Sequence, residues 1–158
     1  MIVGNDAFFE TVISLVREGK TVTIPVKGDS MQPFIEGGVD SVVLEGVEEG
    51  SPAGMVRKPV NVGDIVLFRT DSQFIVHRIL RIGGDGVAEI QGDGILQTVD
   101  RCPSERIFAR VITILKKGRR PIPVQSTSYR IQVHLWLLLK PFRRPLLAIW
   151  KRVFRQAR

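Results

Sequence analysis

Cysteine is almost absent from the chain. Cys102 stands alone among 158 residues, which excludes an internal disulfide and any cysteine-rich zinc module. Long apolar runs are missing as well. None exceeds five residues, and the one at 135–139 is followed by Pro141 and Pro145, so nothing approaches the ~20 apolar residues of a spanning helix. The first twenty residues have no basic opening, and Asp6 and Glu10 come too early for a secretory leader, so none is expected. Acid is missing from one half altogether. Residues 1–105 hold all 16 acidic side chains and only 9 of the 23 basic ones, whereas residues 106–158 hold the other 14 basic groups and no acid. An acidic body therefore carries a strongly basic end, which should seek an anionic partner or surface.

What is present reads as globular. Hydrophobic residues make up 44% and charged residues 25%, enough to bury a core in a chain of one-domain size. Residues 5–18 predict a short helix, with Asn5 or Asp6 as its cap, Gly19 at its end, and Phe9, Val12, Ile13 and Val16 on one face. From 21 onward the pattern is strand. Runs at 21–26, 40–44, 65–69, 74–82, 87–91 and 107–115 are rich in β-branched residues and are bounded by turn residues, including the hairpin signal at 83–86. Pro52, Gly54 and Pro59 mark an irregular excursion. With no βαβ rhythm, the fold class expected is mainly β, an antiparallel domain over 1–125. Residues 126–158 form a basic amphipathic tail.

Three stretches carry the chemistry. In Val26-Lys27-Gly28-Asp29-Ser30-Met31-Gln32-Pro33, a serine follows a strand end and a glycine. That is a place from which a hydroxyl can project beside backbone N–H donors, but a serine needs a base before it is a nucleophile. In Ile75-Val76-His77-Arg78-Ile79, His77 shares a strand face with Ile75 and Ile79, opposite Val76 and Arg78. An imidazole there is matched to proton transfer near neutral pH. In Gln91-Gly92-Asp93-Gly94, with Asp100 seven residues on from Asp93, either carboxylate could orient the imidazole. Gly-Asp occurs four times, and at Asp64 and Asp85 the expected role is turn chemistry. Lys27 and Lys58 are poor alternative bases, one on the approaching strand and one in the Pro-rich excursion. His134 falls in the tail.

GDSMQP, GDIVLF, VHRI, QGDG with its following aspartate, and RIFARVITIL come in the order of the signal peptidase I superfamily of serine peptidases, to which LexA-like self-cleaving repressors also belong. Over roughly 21–115 the chain resembles the branch with a histidine base, as in archaeal, endoplasmic-reticulum and sporulation-type enzymes. The resemblance implies a signal-peptidase-like β fold and endoproteolysis of a peptide or precursor protein through an acyl-enzyme, with small side chains beside the scissile bond. It implies Ser30 as nucleophile, His77 as general base, Asp100 as the acid of the triad and Asp93 in support. The Ser30 N–H would serve the oxyanion, and Gly28, Asp29, Met31 and Pro33 would shape the turn and substrate cleft. It implies no metal and no cofactor. The chain differs from the family in four ways. Gly28 stands where a serine is frequent, the spacing from Asp93 to Asp100 is one residue longer, Gly37-Gly38-Val39-Asp40-Ser41 replaces the usual Gly-Asp after the serine motif, and an amphipathic helix replaces an upstream membrane helix. The alternative is a peptide-binding or regulatory domain of the same fold with a decayed site.

In the tail, Leu146, Ile149, Trp150 and Val153 share a helical face among Lys140, Arg143, Arg144, Lys151, Arg152, Arg155 and Arg158. This pattern fits an interfacial helix on anionic lipid, so residues 130–158 are expected to bind a membrane surface, the alternative being a helix packed on the β domain or on a second subunit. Nucleic acid is not expected as a partner, because no helix-turn-helix fits ahead of the first strand. With no leader, the expected location is cytoplasmic and peripheral on the inner face of the membrane.

Overall fold

The computed structural model describes residues 6–47, 59–139, 142, 145–149 and 152. Its elements are α1 (Asp6–Arg17), β1 (Val22–Pro25), β2 (Ser41–Gly46), β3 (Ile65–Arg69), β4 (Phe74–Ile82), β5 (Val87–Gln91), β6 (Asp100–Pro103), β7 (Ile107–Leu115), β8 (Ile122–Pro123) and α2 (Thr127–Leu138). The eight strands form one curled sheet in the order β1-β2-β7-β3-β4-β5-β6, with β8 paired to β7. Every pairing is antiparallel. The chain is thus mainly β, with short helices, as its alternating strands and turns require.

Helix α1 forms because its apolar residues recur at helical spacing. Phe9, Val12, Ile13 and Val16 are all buried, and the helix packs on β1, β2 and β7. The ring of Phe9 stacks on that of Phe74, with centroids 4.8 Å apart. Each such side chain contributes roughly 1.5–3 kcal/mol on full burial.

The central strands are covered on both faces. In β3 the first four residues are all buried. Ile65 and Leu67 enter one core with α1, β1 and β2, while Val66 and Phe68 enter a second core with Ile79, Ile90, Cys102 and Ile107. Strand alternation does the sorting. In β4, Phe74 and Val76 face the first core and Ile79 the second.

Asp64 and Asp85 do make turns. Asp64 Oδ2 accepts the Asn61 N–H at 2.9 Å, and Asp85 Oδ1 accepts the Val87 N–H at 3.2 Å. Strand β6 was not expected from its sequence; it pairs with β5, placing Asp100 opposite Ile90.

The tail needs a correction. Residues 126–139 are not an appendage. Helix α2 lies on the β domain and buries Tyr129, Val133 and Trp136, spaced four and three residues apart, and Tyr129 and Val133 join the first core. Residues 145–149 are helical, with Leu147 buried and Leu146 and Ile149 exposed. Trp150 and Val153 of the expected lipid face lie outside the described residues, as do Lys140, Arg143, Arg144, Lys151, Arg155 and Arg158. Pro52, Gly54 and Lys58 of the excursion do too.

Candidate active site

Ser30 opens a tight turn between β1 and β2. The Gln32 N–H donates to the Asp29 carbonyl at 3.2 Å, and the Phe34 and Ile35 N–H groups to the Met31 carbonyl at 3.1 and 3.0 Å. The Gln32 side chain caps the turn by donating to Asp29 Oδ1 at 2.8 Å. The Gln32–Pro33 peptide is cis. Gly28 has a φ of 79°, a conformation that a side chain strains. Gly37 comes so close that a Cβ there would collide with the Gly28 backbone. That is a physical reason for glycine where the resembling family often has serine. Asp40 closes the loop: its Oδ2 accepts the Glu36 N–H at 2.8 Å and Lys116 Nζ at 2.9 Å.

The turn residues divide. Ser30 and Pro33 are half-buried, whereas Gly28 and Asp29 are exposed. Met31 is 1% exposed and sits in the first core. It anchors the turn from within that core.

His77 lies at the centre of β4, opposite Val66 of β3, and points to the second-core face beside Phe68, with ring centroids 6.2 Å apart. Its Nδ1 stands 3.5 Å from Asp100 Oδ2, at the outer limit of a hydrogen bond, with no nearer partner. The imidazole is nearly buried, while the Asp100 side chain is 31% exposed. Burial pushes the His77 pKa below its ordinary value, and Asp100 opposes this only in part. The ring is thus neutral at neutral pH, the state in which Nε2 can accept a proton.

Asp93 has a different occupation. Its carboxylate forms a two-pronged ion pair with the neighbour of His77, accepting Arg78 Nε at 2.8 Å and a terminal guanidinium nitrogen at 2.7 Å. Arg78 also donates to the Gly63 carbonyl at 2.8 Å and to the Tyr129 hydroxyl at 3.0 Å. The indole N–H of Trp136 donates to the Asp93 carbonyl at 3.1 Å. Arg78 and Asp93 are 1% and 2% exposed at their side chains. Burial disfavours the guanidinium charge, but Asp93 overrides it and raises the pKa of Arg78 further. The carboxylate of Asp93 is thus taken up by Arg78 rather than by the imidazole. The two carboxylates that the sequence left as alternatives are thereby separated, with Asp100 beside the imidazole and Asp93 behind it.

The segment 92–94 ties the parts together. The Gly94 N–H donates to the Ser30 carbonyl at 2.8 Å. A Cβ placed on Gly92 would press on that same carbonyl and stand 3.0 Å from His77 Nε2. The Ser30 backbone and the proton-accepting nitrogen of His77 therefore meet around one glycine that has no room for a side chain. Between the described residues Ser30 and His77, no hydrogen bond joins the hydroxyl to the imidazole.

Arg78, Tyr129 and Trp136 were missed as site residues. The signal for Arg78 was available: it shares a strand face with Phe74 and Val76 and so had to be buried. Cys102 is no second nucleophile, since burial pushes its thiol up to about 11. Lys27 is exposed. His134 lies on the exposed side of α2, its Nδ1 3.0 Å from the Arg130 carbonyl oxygen. Among the described residues, no group of three or more His, Cys, Asp or Glu could hold a metal ion, and no helix is long and apolar enough to cross a membrane. Neither a family model nor a curated protein matches the chain.

Proposed function

We propose that the protein is a serine endopeptidase of the signal-peptidase type, cleaving a peptide or precursor protein with Ser30, His77 and Asp100. One observation carries the reading: the backbone of Ser30 and Nε2 of His77 converge on Gly92, while Asp100 reaches the other ring nitrogen. In the reaction, Ser30 Oγ attacks the scissile carbonyl carbon and His77 Nε2 takes the hydroxyl proton. The Ser30 N–H would donate to the oxyanion. As the tetrahedral species collapses, the C–N bond breaks and His77 returns the proton to the departing amine. Water then attacks the ester, again with His77 as base, and frees Ser30. Asp100, 3.5 Å from Nδ1, stabilises the transient imidazolium by its charge. Arg78, held by Asp93, fixes the strand and loop that carry these groups.

The test is cleavage of a peptide library, with and without detergent, read by mass spectrometry for wild type and Ser30→Ala. The expected result is a defined set of products from wild type, none from Ser30→Ala, and unchanged circular dichroism. Products that persist in Ser30→Ala would remove the serine from the mechanism. The wide 3.5 Å separation of His77 Nδ1 from Asp100 favours a second reading, a peptide-binding domain with a decayed site. Peptide capture without products in wild type would establish that one instead.

A further inference from the structure

Helix α2 has two apolar stripes rather than one. Tyr129, Val133 and Trp136 face the β domain. Ile131, Leu135 and Leu138 repeat the same spacing on the opposite side, where they are 55%, 55% and 76% exposed. At 100° per residue the two stripes lie about half a turn apart. Leu139, Phe142, Leu146 and Ile149 are exposed as well. Isolated surface leucines need no explanation, but a contiguous aliphatic strip marks a contact surface.

Charge selects what covers it. Residues 130–158 contain eight Lys and Arg and no acidic residue. A second copy of the chain would bring two such cationic segments together, which like-charge repulsion opposes. Nucleic acid would satisfy the charge but gives exposed isoleucine and leucine nothing to enter. An anionic bilayer satisfies both, with the hydrocarbon boundary taking the aliphatic strip and the headgroups taking the basic side chains.

We propose that the outward face of α2 docks the protein on an anionic lipid surface. This does not depend on the peptidase reading. It does bear on the candidate site, because the inward face of the docking helix carries Tyr129 and Trp136, which hold Arg78 and Asp93. A docked protein therefore holds its candidate cleft in a fixed orientation to the membrane.

The full chain is tested by flotation with vesicles of phosphatidylglycerol and phosphatidylcholine in equal parts, and with phosphatidylcholine alone. The variant is Ile131→Ser/Leu135→Ser/Leu138→Ser, with near-ultraviolet circular dichroism as the check on folding. Leu138→Asp, at the most exposed position, serves if the triple variant does not fold. The wild type should float with the anionic vesicles, less so in high salt. The triple variant should partition roughly a hundredfold more weakly. Equal flotation of wild type and variant overturns the proposal, as does failure of the wild type to float. A wild-type dimer that ignores vesicles and becomes monomeric in the variant assigns the strip to self-association and also overturns it. DNA binding that disappears in the variant, with no vesicle binding by the wild type, does the same.

Discussion

Replacing Asp93 with alanine should unfold the protein long before it informs on proton transfer. The carboxylate is buried and carries both prongs of the bond to Arg78, itself almost fully buried. Its removal leaves a guanidinium with the Gly63 carbonyl and the Tyr129 hydroxyl as hydrogen-bond partners and the Phe34 and Tyr129 rings beside it, none of which bears a charge. Breaking one side of such a pair costs about 3–5 kcal/mol, which for a chain of this size lowers Tm by roughly 6–20 °C. Asp100→Ala should behave differently. That carboxylate is partly exposed and 3.5 Å from its partner, so most of any pairing energy is already lost to solvent and stability should change little, while cleavage slows steeply. Urea unfolding of both variants, beside peptide cleavage, reads the contrast. The double variant Arg78→Met/Asp93→Leu should recover much of the lost stability, since paired apolar replacements relieve the desolvation that a single change leaves behind. If Asp93→Ala costs less than about 1 kcal/mol, the ion pair is not what holds this region and the separation of roles between the two aspartates fails.

His77 sets two pH dependences. Its pKa is lowered by burial, so the unfolded chain binds the proton more readily than the folded one. Stability from this group is then complete above the ordinary value near 6.5 and declines as pH falls from there toward the folded pKa. His77→Gln should flatten that slope in unfolding measured across mildly acidic pH. The acid limb of kcat/KM should likewise fall below pH 6.5, and an alkaline-only profile would point to a lysine base instead. Gly92→Ala should abolish cleavage at a stability cost of roughly 1–3 kcal/mol, because its Cβ would push the Ser30 carbonyl away from the imidazole. Retained activity in Gly92→Ala would show that the two groups do not need this approach.

Strands β3, β4, β5 and β7 were legible because each is a β-branched run between turn residues, and all four pair in the sheet, with register shifts at Leu67/Phe68 and Ile79/Arg81. Strand β6 was not. Asp100-Arg101-Cys102-Pro103 has no alternation, and it is extended because β5 offers it partners. Ser30, His77 and Asp100 could be nominated from motif order, yet their convergence depends on a loop crossing at Gly92 that no local pattern encodes. Helix α2 was obscured by charge. Averaging over 126–158 makes the segment look uniformly basic and amphipathic, although 127–139 contains one arginine and no other Lys or Arg. Tyr129, Val133 and Trp136 alone would have pointed inward.

The adjacency of His77 and Arg78 is the device on which the site turns. Consecutive strand residues point to opposite faces, so one strand delivers an imidazole to one side of the sheet and a guanidinium to the other. The segment 92–94 serves both faces: Gly92 packs at Nε2 of His77, and Asp93 grips Arg78. A one-residue slip of β4 would exchange the two side chains, burying a positive charge where the imidazole sits. The Arg78–Asp93 pair opposes that slip, because only the native register brings the guanidinium to its carboxylate, to Gly63 and to Tyr129 together. Register here is fixed from the far side of the sheet, by groups that need never touch a substrate. That is why α2, which supplies Tyr129 and Trp136, belongs to the functional body and not to the tail.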